Sequence, residues 1–190
     1  MKKYGNLNEL QELKLKYAYN QGNPIVNPTQ MLKDKELAVS CVDDIVEDLV
    51  KEHKYNAILD GANPEFIKVL EEKLCSFAGE LLCFDNDEYA ELVLEEGQLW
   101  YGDPIYFEQM AMGECHSNSI EVNDENPECP IVVGYALDSY GFWFTHTWLL
   151  VQEDDEKNSF VFETTSPSEL YFGVVLTQSQ LKEFKDKYRE

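Results

Sequence analysis

The periodicity of the chain changes at Asp103-Pro104, and that change limits the fold more than any other feature. Before it, apolar residues recur at helical spacing between caps and turn residues; after it, short runs rich in aromatic and β-branched residues alternate with polar turns. Helices first and strands afterwards give an α+β chain. In the first part, Leu7, Leu10, Leu13 and Tyr17 mark an amphipathic helix, Asn23-Pro24 and Asn27-Pro28 a turn-rich connection, and Thr29 the cap of a helix running toward His53. His53 reads as a surface histidine at a helix C-terminus. Asn63-Pro64 opens a further helix, a cap followed by proline at the first helical position, with Phe66, Ile67, Leu70 and Leu74 as its apolar stripe and an end near Gly79. Glu88 to Gly97 is expected to form another.

In the second part, Ile131 to Leu137, Phe142 to Gln152, Phe160 to Thr164 and Tyr171 to Leu176 are expected strands, joined by turns at Asp138-Ser139 and Asp154-Asp155. Short connections between consecutive strands imply antiparallel pairing. Thr177 with Gln180 forms a capping box for a terminal helix carrying Leu181, Phe184 and Tyr188. The expected architecture is one domain over residues 1–190: a helical half, 1–100, and a half, 101–190, whose antiparallel sheet packs on a helix beginning at Cys115.

At 190 residues the chain can bury a sizeable core, and 44% hydrophobic with 13% aromatic content is that of a folded globule. A net charge of −22 argues against phosphate-backbone binding, since no basic stripe exists to displace counterions; it keeps the surface hydrated and favours basic partners or substrates. No apolar run reaches the ~18 residues of a membrane span, and Met1-Lys2-Lys3-Tyr4-Gly5 leads into a polar helix rather than an apolar signal core, so a cytoplasmic location is expected. Cys41, Cys75, Cys83, Cys115 and Cys129 form an odd set suited to reduced thiols, with Cys75 and Cys83 read as small buried side chains. Nothing in the sequence sets an oligomeric state.

Chemistry concentrates between Gln109 and Thr165. Cys115 follows Gly113-Glu114, His146 stands in Thr145-His146-Thr147-Trp148, and Glu163 precedes Thr164-Thr165. A thiol attacks an amide carbon only as thiolate, which a neighbouring imidazole or a helix N-terminus favours. Gly113 can supply the turn that lets Cys115 open a helix. A carboxylate such as Glu163 can then hold the imidazole in its working orientation. Gln109, six positions before Cys115, and the Cys115 backbone N–H are candidate donors to an oxyanion. If the strands bearing His146 and Glu163 pair as a hairpin, the two side chains can meet side by side across the ladder. Asn118, one helical turn after Cys115, is a candidate for lining the cleft or orienting an imidazole; His116, Trp143 and Trp148 are candidates for the pocket wall and substrate contacts.

These residues resemble the papain-like cysteine peptidase superfamily, which carries a glutamine six residues before its cysteine, then a histidine and an Asn or Asp. The transglutaminase-like branch is more similar still, with a G-x-C helix start, a segment like Val133-Gly134-Tyr135, then H-x-W, then an acidic residue before Thr. Here those are Gly113-Glu114-Cys115, His146-Thr147-Trp148 and Glu163-Thr164, spaced by 31 and 17 residues. The likeness spans under a third of the chain. It implies a helix-plus-sheet core and a cofactor-free thiol protease, deamidase or acyl transferase acting on peptide or protein through a thioester. Two departures are Glu for the usual Asp, and His116 beside the nucleophile as a second imidazole. Two other classes remain open on residues alone: a zinc protein using Cys115, His116, Cys129 and His146, and a non-enzymatic acidic module mimicking nucleic acid.

Overall fold

The computed structural model describes residues 54–85, 87–152 and 159–189, which belong to one compact unit, Asp48–Glu190. The helices expected around Leu7–Tyr17 and from Thr29 to His53, with Cys41 and the Asp154-Asp155 turn, lie outside the described residues. The fold is α+β. Helix α1 (Pro64–Cys75) starts as its sequence requires: Asn63 accepts the Glu65 N–H at 3.0 Å and Pro64 occupies the first turn, where its missing N–H costs nothing. Strand β1 (Leu81–Cys83), helix α2 (Ala90–Glu96), β2 (Gln98–Tyr101) and β3 (Ile105–Phe107) follow. Then come helix α3 (Cys115–Glu125), strands β4 (Ile131–Leu137), β5 (Phe142–Gln152), β6 (Ser159–Glu163) and β7 (Leu170–Val175), and helix α4 (Gln178–Tyr188). The expected capping box opens α4, Thr177 and Gln180 satisfying each other's backbone N–H groups.

Among the described residues the sheet has seven strands, in the order β2-β7-β4-β5-β6-β3 with β1 also paired to β5. The expected antiparallel sheet is a correction: β4, β5, β6 and β7 pair antiparallel, but β1 joins β5 and β3 joins β6 in parallel. Short connections determine pairing only between consecutive strands; β1 and β3 reach the sheet from earlier in the chain and take whichever edge is open.

Alternation along the strands divides the core. On one face Val133, Tyr135, Leu137, Trp143 and Leu149 pack with Leu70 and Leu74 of α1, Val93 of α2, Ile120 of α3 and Phe184 of α4. On the other, Val132, Ala136, Trp148, Leu150, Val161 and Tyr171 form a smaller cluster. One feature of β5 positions the site. Its first edge is paired to β4 from Trp143 to Leu149. Its second edge carries β1 only at Phe142–Phe144 and β6 only at Leu149–Gln152. Residues 145–148 are therefore a window in the sheet, and α3 packs against this strand.

Among the described residues, no helix is long and apolar enough to cross a membrane.

Candidate active site

Gly113 adopts φ +81°, a left-handed value that side chains disfavour, and a Cβ there would meet nothing within 4 Å. The glycine is thus selected by backbone conformation, not by crowding, and it turns the chain into α3 with Cys115 as its first residue. Glu114 occupies the N-cap position without capping the helix through its side chain, so that function is left to whatever lies at the helix mouth.

The mouth straddles the window in β5. Consecutive strand residues point to opposite faces, and consecutive residues of α3 address one each. Cys115 lies within electrostatic reach of His146, while His116 Nδ1 stands 2.6 Å from Thr147 Oγ1 on the other face. His116 Nδ1 is also 4.0 Å from the Cys115 sulfur. The half-buried thiol is thus influenced by two imidazoles.

His146 is 4% exposed and presents Nε2 to Glu163 Oε2 at 2.8 Å, which leaves Nδ1 for the sulfur. Glu163 is fully buried and surrounded by donors. Its Oε1 accepts the N–H groups of Thr164 (2.9 Å) and Thr165 (2.8 Å) and the Thr165 hydroxyl (2.9 Å). Its Oε2 accepts from His146 and from the Tyr171 hydroxyl at 3.1 Å. The two residues are not partners across a ladder, as the hairpin expectation had them. Pairing of β5 with β6 stops at Leu149↔Phe162, and continuing that register by one pair sets Glu163 opposite Trp148. The carboxylate reaches diagonally to the imidazole, a distance the longer arm of Glu spans.

Electrostatics follow from this packing. Burial works against ionising Cys115, but the neighbouring imidazoles of His116 and His146 outweigh it, bringing the thiol down to about 6. Burial likewise disfavours a charged His146; its interactions with Cys115 and Glu163 reverse that and carry it up to about 9. Glu163 is penalised by burial too, yet His146 and Thr165 hold it below the usual carboxylate range. The other described cysteines go the opposite way: burial pushes Cys75, Cys83 and Cys129 up. Such an arrangement can store a thiolate, an imidazolium and a carboxylate in line.

The remaining candidates divide. Gln109 is exposed, and its flanking backbone is pinned beside the site by Glu108 N–H to Glu163 O (3.1 Å) and Met110 N–H to Thr164 O (2.8 Å). Asn118 does not line a cleft: it is 3% exposed and its amide donates to Ala111 O at 2.8 Å, bracing the loop between Gln109 and Cys115. Trp143 and Trp148 are fully buried, so neither offers a surface to substrate. Trp143 faces the helices, its indole N–H on Ala78 O at 2.8 Å. Trp148 stacks beside His146, 6.3 Å between centroids and 17° between planes. Gly173 makes that possible, since a Cβ there would meet the Trp148 ring at 2.7 Å and the Val133 carbonyl at 2.4 Å. His116 is clamped by α4, with Tyr188 at 4.3 Å and Phe184 at 5.4 Å. Gly113, Glu114, His116, Ser117, Lys187 and Tyr188 line a depression of about 140 Å³ over the His116 side of the helix start, and Cys115 is not part of its lining.

The four-residue zinc set is not assembled. Among the described residues no three His, Cys, Asp or Glu side chains gather as a metal-binding group, and Cys129 packs against the larger core beyond the far end of α3. Cys115 is the first of the eleven residues of α3, so the far end of the helix lies about 15 Å away at 1.5 Å per residue.

The sequence placed Thr147, Tyr171 and Tyr188 in their elements but not at the site. Thr147 lies inside the H-x-W segment, where its neighbours carried the signal; Tyr171 and Tyr188 have no local signature at all. Comparison with protein-family models, curated proteins and solved structures finds no match for this chain.

Proposed function

We propose that the chain is a cysteine-dependent amide hydrolase or acyl transferase acting on a peptide or protein substrate. The observation that carries this reading is the half-buried Cys115 at the start of α3, with His116 Nδ1 4.0 Å from its sulfur and His146 anchored to a five-donor carboxylate. In the first step the Cys115 thiolate bonds to the substrate carbonyl carbon and the carbonyl π electrons move to oxygen. The first-turn N–H groups of α3, and Gln109, are the candidate donors to that oxyanion. As the tetrahedral centre collapses, the C–N bond breaks and the His146 imidazolium gives its Nδ1 proton to the departing amine, leaving a thioester and neutral His146. Water or a second amine then attacks the thioester, His146 takes its proton, and the thiolate departs. Glu163 holds the ring throughout and stabilises its charged form. No cofactor enters any step. The net charge of −22 favours basic peptides as substrates.

The test uses a mixed peptide library, with and without a primary amine, read by mass spectrometry for hydrolysis, deamidation or amine transfer. The wild-type chain is expected to modify library peptides and Cys115→Ala to be inactive while folded. Equal turnover by the two proteins would end the proposal.

A further inference from the structure

Resting on the reading above, we propose that Tyr171 is a positioning residue for His146, its hydroxyl setting how strongly and in what direction Glu163 holds the imidazole. The hydrogen bonds fix the direction of donation. The Ser168 N–H donates to the Tyr171 oxygen at 2.8 Å. A phenol has one proton, and its remaining neighbour, Glu163 Oε2 at 3.1 Å, is an acceptor, so the O–H points to the carboxylate. That oxygen is the same one that receives His146 Nε2, so phenol and imidazole compete for its electron density.

The fold explains why the help comes from so far. Glu163 sits at the last position of β6, past the end of its pairing with β5, and no ladder fixes it relative to His146. Tyr171 lies on β7, hydrogen-bonded on both edges to β2 and β4. In the sheet order β4 and β5 stand between β7 and β6, so the phenol and the carboxylate close on each other across the strand that bears His146. The Tyr171 ring is fully buried, 6.2 Å from the His146 ring and 5.1 Å from Trp148, and cannot swing away. The titratable groups acting on His146 are Cys115 from α3, Glu163 from β6 and, through Glu163, Tyr171 from β7.

The experiment is an NMR titration of His146 in protein labelled with 13C-histidine, its signal assigned with His53→Asn and His116→Asn. Three proteins are compared: the unsubstituted chain, Tyr171→Phe, and the chain with 3-fluorotyrosine at position 171, whose more acidic phenol donates more strongly. Removing the donor leaves the carboxylate more basic, so Tyr171→Phe should move the His146 inflection upward by roughly half a pH unit. The fluorinated phenol should move it downward. A merely structural tyrosine would lower thermal stability without shifting the inflection in opposite senses. An unchanged inflection in both altered proteins, or a shift of one sign in both, overturns the assignment. Where Tyr171→Phe does not fold, the fluorinated protein decides alone: a downward shift supports the role and none overturns it. An ordinary inflection, near roughly 6.5, in the unsubstituted chain would instead remove the thiolate–imidazolium reading itself, and Tyr171's role with it.

Discussion

A buried carboxylate that satisfies five donors costs more to lose than to keep. Glu163→Ala would leave His146 and the Thr164 and Thr165 donors unpaired in a dry site, at a cost of about 3–5 kcal/mol measurable by urea unfolding. Glu163→Gln keeps the shape but removes the charge; the imidazolium then loses its proton at lower pH and turnover should fall roughly 10²- to 10⁴-fold. The pH dependence has a definite sign. On the proposed mechanism the nucleophile is lost as pH falls through about 6, where the thiol gains its proton, and the acid for the departing amine is lost as pH rises through about 9, where His146 gives its proton up. Turnover should therefore be bell-shaped, with limbs near those values belonging to the Cys115–His146 pair rather than to either residue. Stability carries a related signature. Because Glu163 is held below the usual carboxylate range, its contribution is present above that range and is lost as pH falls through the lowered value. A rate that rises monotonically with pH up to the ordinary thiol range would refute this electrostatic account.

At the scale of elements, the loop from Glu108 to Glu114 is held by the Asn118 amide on Ala111 O and by backbone bonds from Glu108 to Glu163 and from Met110 to Thr164. Asn118→Ala should cost about 1–2 kcal/mol in stability by removing one buried bond. It should lower the rate of Cys115 alkylation by iodoacetamide while leaving the His146–Glu163 bond intact; an unchanged alkylation rate would show that the loop does not depend on this amide. Helix α4 acts from the opposite side. Its capping box is worth about 1 kcal/mol, and the helix carries Tyr188 and Phe184 against His116. Thr177→Ala should therefore loosen the His116 ring as well as the helix, seen as a narrowing of its ring-current shifts.

The molecule as a whole carries 37 acidic against 15 basic residues, and their repulsion opposes compactness. Raising salt from roughly 0.01 to 0.15 M shortens the screening length from about 30 to about 8 Å. The thermal midpoint should rise over that range, and KM for lysine-rich peptides should rise with it as attraction to the surface is screened. A midpoint that falls with salt would mean that ion pairs such as Lys187–Glu88 and Lys185–Asp124 outweigh the general repulsion.

The elements were legible in the sequence wherever their causes are local. Asn63-Pro64, the Thr177–Gln180 box and the runs Ile131–Leu137 and Phe142–Gln152 name their own helices and strands, because caps and side-chain alternation act over a few residues. Cys115, His146 and Glu163 were legible as types with suitable chemistry. Their meeting was decided by tertiary structure: a window between β1 and β6 on one edge of β5, into which the start of α3 fits. Parallel pairing of β1 and β3, the diagonal reach of Glu163 and the phenol of Tyr171 were equally beyond local reading. Each depends on which strands share an edge and which side chains then face one another, and separation along the chain carries no record of that.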